Sequence, residues 1–117
     1  MAVGRELYQI EEGFWLKGKE HFLDHVDEQC LLAFPQTGEM HGVHSRAEVA
    51  ATATDANRWR DLVMKDRQLL ECGDFAIISY RVEVTPADGE IYTALVSSGY
   101  ARRPDGWKLA FHQHSPV

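Results

Sequence analysis

The residues of this chain best equipped for chemistry are two imidazoles near its end, in His112-Gln113-His114. Alternate side chains of a strand share a face, which sets the two rings about 7 Å apart along the chain. Such a pair can begin a zinc or iron site, and His41 or His44 could supply the further ligands it needs. The spacing is not one of the specific zinc signatures, and Lys108 shares the strand face of both rings. They are therefore expected to line the outer sheet face or a subunit contact, with no metal and no cofactor. Asp24 and His25 form a second set, because a histidine oriented by a carboxylate is the usual general base. Neighbours on a helix point about 100° apart, so these two do not pair with each other. His25 continues an apolar stripe and is expected as a core or rim ring bonded to a backbone carbonyl. Nucleophilic catalysis has little to build on. Cys30 and Cys72 lack a flanking cation, Ser97-Ser98 lacks a glycine-flanked elbow, and no phosphate-binding glycine loop occurs.

The elements that would carry these residues follow from periodicity. Over 4–25, Leu7, Ile10, Phe14, Gly18, His21, Phe22 and His25 recur at steps of three and four, which predicts one long helix. Glu6, Glu11, Glu12, Lys17 and Lys19 are read as falling largely between them. The run 29–34 reads as a strand, 35–38 as a turn and 39–43 as a short returning strand. Ser45-Arg46-Ala47-Glu48 matches a capping box and opens a second helix over 46–57, with Val49, Ala50 and Ala53 inward. Four antiparallel strands follow, over 59–71, 75–85, 90–103 and 107–114. Asp88-Gly89 and Asp105-Gly106 turn two of the three hairpins, since glycine supplies the positive φ of tight turns.

In the last strand Trp107, Leu109, Phe111 and Gln113 are assigned to the face that meets the helices, with Trp107 and Phe111 as packing. Lys108, Ala110, His112 and His114 take the other face. In the strand before it Tyr92, Ala94, Val96 and Tyr100 alternate with Ile91, Leu95, Gly99 and Ala101, so both faces are apolar. A second cover is needed, and another subunit is its natural supplier.

Size and charge bound the answer. The 117 residues fit a single domain over 1–117 of α+β class. A net charge of −6, with basic residues scattered apart from Arg102-Arg103, argues against nucleic acid. No run approaches the roughly 20 apolar residues that span a bilayer, and no signal-peptide pattern opens the chain. A cytoplasmic protein with reduced thiols is expected, since two cysteines form no disulfide framework.

The sequence resembles the nuclear-transport-factor-2-like superfamily, which includes SnoaL-like and ketosteroid-isomerase-like proteins. The resemblance rests on His21-Phe22-Leu23-Asp24-His25-Val26, Trp59-Arg60-Asp61-Leu62, Asp74-Phe75-Ala76-Ile77-Ile78-Ser79-Tyr80 and the ending from Asp105-Gly106-Trp107 to Ser115-Pro116. That ending looks like a small member family of unknown function. The resemblance covers nearly the whole chain and implies a cone-shaped, cystatin-like fold. In it a strongly curved antiparallel sheet packs on a long N-terminal helix and a shorter second helix. It also implies a homodimer through the outer sheet face and a cavity for a small apolar ligand, lined here by Phe14, Phe34, Trp59, Tyr80, Ser98 and Gln113. Catalysis there would fall to His25, Tyr80 or His112, in a cofactor-free isomerase, hydratase or cyclase. The alternative is a non-catalytic dimerisation or ligand-sensing module. The aspartate base of ketosteroid isomerases has no counterpart in Leu31-Leu32-Ala33-Phe34-Pro35, so that reaction is not expected.

Overall fold

The computed structural model describes residues 2–34, 41–53, 59–86 and 89–117. Helix α1 (Ala2–Leu16) and helix α2 (Lys19–His25) lead into strand β1 (Val26–Ala33). Strand β2 (Gly42–Ser45) and helix α3 (Arg46–Ala50) follow, then β3 (Arg60–Cys72), β4 (Phe75–Thr85), β5 (Tyr92–Arg103) and β6 (Gly106–Pro116). The expected single N-terminal helix is two helices. Gly18 adopts extended backbone at the start of α2, and glycine pays the largest entropy to remain helical. Gly13 has another purpose. The His21 ring lies where a β-carbon on Gly13 would stand, with its Cε1 only 2.2 Å from that point. From there His21 Nε2 bonds the Ile10 carbonyl at 2.8 Å and staples α2 to α1.

The capping box at α3 is as read: Ser45 N–H donates to Glu48 Oε1 (2.8 Å) and Glu48 N–H to Ser45 Oγ (3.2 Å). Val49, Ala50 and Ala53 are buried as expected, but the α-helix itself stops at Ala50. Positions 54–57 of the predicted helix, the turn 35–38 and positions 39–40 of the predicted returning strand lie outside the described residues.

One six-stranded sheet, in the order β2-β1-β6-β5-β4-β3, holds the strands, all antiparallel except β1 against β6. The class is α+β. Strand β4 alternates cleanly, with Ala76, Ile78, Tyr80, Val82 and Val84 buried toward α1 and their neighbours part-exposed. Among the described residues three bulges interrupt the antiparallel ladders. Two lie in β3, at the register shifts containing Asp61 and Asp66, whose φ values are 55° and 53°. The third is in β6, where Gly99 pairs with Phe111 but Tyr100 pairs with Leu109, so Ala110 is an extra residue. A bulge bends its strand and shifts the alternation of side chains by one.

That shift overturns the expected faces of β6. Trp107 and Leu109 do point inward and are buried. Beyond Ala110 the phase reverses, so His112 and His114 enter the interior. Phe111 joins Gly99 and Phe75 on the outer face, where the Phe75 ring lies across Gly99. Gln113 pairs with Ser97 on that outer side and its amide donates to Ser115 Oγ. No helix among the described residues is long and apolar enough to cross a membrane.

Candidate functional site

Glu11 lies one helical turn after Leu7 and one turn before Trp15, and residues spaced by four share a helix face. Leu7 and Trp15 are buried, and Glu11 goes down with them to zero exposure. This corrects the expectation that Glu11 falls with the charges between the apolar positions. A carboxylate in this position must find donors, because an unpaired buried charge costs several kcal/mol. The sheet supplies three. Tyr80 on β4 donates its hydroxyl to Glu11 Oε2 at 2.5 Å, Ser98 on β5 donates to the same oxygen at 2.6 Å, and Tyr100 on β5 donates to Oε1. Trp15 Nε1–H in turn donates to the Tyr80 hydroxyl at 2.8 Å, which commits that hydroxyl's own hydrogen to Glu11.

The arrangement continues into β6. His112 Nδ1 stands 2.7 Å from Ser98 Oγ and 3.6 Å from Glu11 Oε2. His112 Nε2 meets His114 Nε2 at 2.7 Å, and His114 Nδ1 meets the Tyr92 hydroxyl at 3.2 Å. Aromatic rings wall this line in. Trp15 stacks on His114 with centroids 5.2 Å apart, and Phe34 packs against both imidazoles. Trp59 stands edge-on to Trp15 at 5.3 Å and beside Tyr92 at 5.6 Å. Among the described residues no buried side-chain nitrogen or oxygen lacks a partner. At the outer end His114 reaches a pocket of about 420 Å³, shared with Ala33, Phe34, His41, Gln113, Ser115 and Pro116.

Burial dominates the electrostatics. It raises the Glu11 carboxyl above its ordinary range, and the three hydroxyl donors pull only partly the other way. Burial likewise pushes His112 down to about 4, and burial with the neighbouring His112 pushes His114 down to about 2, so both rings are neutral at pH 7. Tyr80 and Tyr100 are raised well above 10 by burial and then by the Glu11 charge, and they act as hydrogen-bond donors.

Of the residues named from the sequence, Phe34, Trp59, Tyr80, Ser98 and His112 are brought together here. Phe14 is set at the junction of α1 and α2, edge-on to His21 and Phe22 at 4.9 Å. His25 stands against His21, with centroids 4.4 Å apart. Burial lowers its pKa first, and Lys108 adds to that. Gln113 turns away from the imidazoles, contrary to its assigned face. His44 lies near Glu48 at 3.8 Å, and His41 is exposed at the pocket rim. Among the described residues no group of three or more His, Cys, Asp or Glu is placed to hold a metal ion. Cys30 is buried with its thiol pushed up to about 12, and Cys72 is exposed. Glu11, Trp15, Tyr92 and Tyr100 were missed. The steps of four from Leu7 to Glu11 to Trp15 were the available signal for Glu11.

No family model matches the chain, and no curated protein sequence does. Solved structures do. An NTF2-like protein from Cytophaga hutchinsonii has TM-score 0.77 and 14% identity, over 97% of this chain and 97% of its own. A proposed dehydratase of the NTF2-like family from Streptomyces avermitilis has TM-score 0.75 and 18% identity, over 98% and 93%. A proposed calcium/calmodulin-dependent kinase II association domain from Exiguobacterium sibiricum has TM-score 0.76 and 16% identity, over 97% and 89%. At these identities the likeness is one of fold, and that fold is the NTF2-like, cystatin-like one that the sequence resemblance implied.

Proposed function

We propose, taking the NTF2-like fold as premise, that this protein binds a small apolar molecule at the mouth of its cone. There it carries out cofactor-free proton-transfer chemistry of the isomerase, hydratase or cyclase kind. One observation carries the reading: Glu11 is wholly buried in a cup of three hydroxyls, 3.6 Å from the imidazole of His112. A domain needing only a core would fill this place with an apolar side chain at lower cost. Ionisable groups shifted by burial and set beside a specific partner cluster where acid–base work is done. A carboxyl whose pKa burial raises above its ordinary range, set within reach of an imidazole, is the kind of group that serves as a general acid or base. The dehydratase name of one structural neighbour agrees with this class of reaction. His114, Phe34 and Trp59 would meet the ligand, and Tyr80, Tyr100 and Ser98 would hold the carboxylate.

A second reading, a non-catalytic dimerisation or ligand-sensing module, draws on the apolar outer sheet face and on the neighbour named as an association domain. A panel of neutral aromatic and alicyclic ketones and alcohols, screened by ligand-observed NMR, separates the two. Binders that shift the His114 and Trp59 resonances, and that His114→Ala weakens at least tenfold, support the first. A panel with no binder at these residues rejects it.

A further inference from the structure

We propose that Tyr92, His114, His112 and Ser98 form a proton relay between the cone rim and Glu11, in which both imidazoles reverse tautomer together whenever Glu11 gains or loses its proton. The inference follows from donor and acceptor bookkeeping. An ionised carboxylate only accepts, so the Ser98 hydroxyl must spend its hydrogen on Glu11 Oε2. Ser98 Oγ then accepts from His112, which places that ring's hydrogen on Nδ1. In a neutral imidazole the other nitrogen is then bare. His112 Nε2 therefore accepts from His114 Nε2–H, and His114 Nδ1 accepts from the Tyr92 hydroxyl. Every hydrogen along the line points toward Glu11. Each link is fixed by the one before it.

The transfer balances. An acid at the rim gives a proton to Tyr92 Oη as the Tyr92 hydroxyl proton passes to His114 Nδ1. The proton on His114 Nε2 passes to His112 Nε2, the one on His112 Nδ1 passes to Ser98 Oγ, and the Ser98 hydroxyl proton passes to Glu11. The rim acid is left one charge more negative, Glu11 becomes neutral, and neither imidazole is charged at the end. His112 ends with its hydrogen on Nε2 and His114 with its hydrogen on Nδ1.

The surroundings favour passage through the rings over storage on them. Titratable groups facing Glu11 are Tyr80 on β4, Tyr100 on β5 and His112 on β6, with Cys30 on β1 and Tyr8 on α1 close enough to feel its charge. His112 faces Glu11 and His114, and His114 faces His112 and Tyr92. Among the described residues no lysine or arginine is bonded into the line. Burial disfavours an imidazolium at either histidine, so an arriving proton goes on to the carboxylate.

The catalytic use of the relay rests on the acid–base role proposed for Glu11, whereas the relay itself is read in ligand-free protein. Its failure and the failure of the ligand screen are thus separate results. The experiment is NMR on wild-type protein labelled with ¹⁵N-histidine and ¹³C-glutamate, titrated downward from pH 8. At pH 8 His112 should carry hydrogen on Nδ1 and His114 on Nε2. As the Glu11 carboxyl takes its proton, both rings should switch over one shared midpoint without a charged-ring signal. In Ser98→Ala the carboxyl should still titrate while the switch at the rings is lost. Hydrogen on His112 Nε2 at pH 8, or rings that become charged while Glu11 stays ionised, overturns the proposal from wild-type data alone.

Discussion

Each oxygen of the Glu11 carboxylate has its own set of donors, and the sets are unequal. Oε2 receives Tyr80 and Ser98, whereas Tyr100 is the donor recorded at Oε1. Tyr100→Phe keeps the ring and its packing but leaves a buried charged oxygen without that donor. A loss of about 1.5–3 kcal/mol is expected, because hydrogen bonds to charged groups are worth that much. Urea unfolding measures it, and an unchanged midpoint would mean that Glu11 is neutral or rehydrated. Chemistry at this scale was only half legible. Tyr80, Ser98 and His112 could be picked from the sequence by parity or residue type. For Glu11 the step of four from Leu7 was the whole signal, and it was weak, because a glutamate on an amphipathic helix is ordinarily a solvated one, and its buried partners come from strands 69 to 89 residues away.

Among the elements, the junction of α1 and α2 makes a sharp claim. Gly13→Ala should raise helix propensity by roughly 1 kcal/mol in isolation. In the folded protein the new methyl would meet the His21 ring at 2.2–2.7 Å, so the ring must leave its bond to the Ile10 carbonyl. Overpacking of this kind typically costs about 1–3 kcal/mol, and we expect net destabilisation. In a His21→Ala background the same change should instead stabilise. A double-mutant cycle with no coupling would remove the idea. Most elements were legible, because hydrophobic period, the capping box and the Asp-Gly turns are local signals. The break at Gly18 and the early stop of α3 at Ala50 were read too long. Alanine and threonine continued the pattern past a turn in which the Thr52 hydroxyl bonds the Val49 carbonyl at 2.7 Å. The faces of β6 were misread for a different reason, since a bulge leaves no mark in an apolar-polar pattern.

The molecule as a whole presents Leu31, Leu70 and Leu95 on its outer sheet face, 40–57% exposed, beside Ile77, Phe75 and Phe111. Monomers rarely leave so continuous an apolar face in water, and we propose that a second copy covers it. Light scattering should give about twice 13.3 kDa, and Leu95→Asp should shift the protein toward monomer while leaving its circular dichroism intact. A wild-type monomer at micromolar concentration would refute this. On these proposals both broad sides of the sheet have work, and the bulge at Ala110 decides which residues of β6 go to which. A relative that kept this residue but paired it in regular register, Gly99 against Ala110, could keep every strand and still turn both imidazoles to the outer face. Aligning such chains by sequence alone would match histidine to histidine and equate residues with opposite surroundings. Within this fold, the register of the ladder decides which side chains correspond.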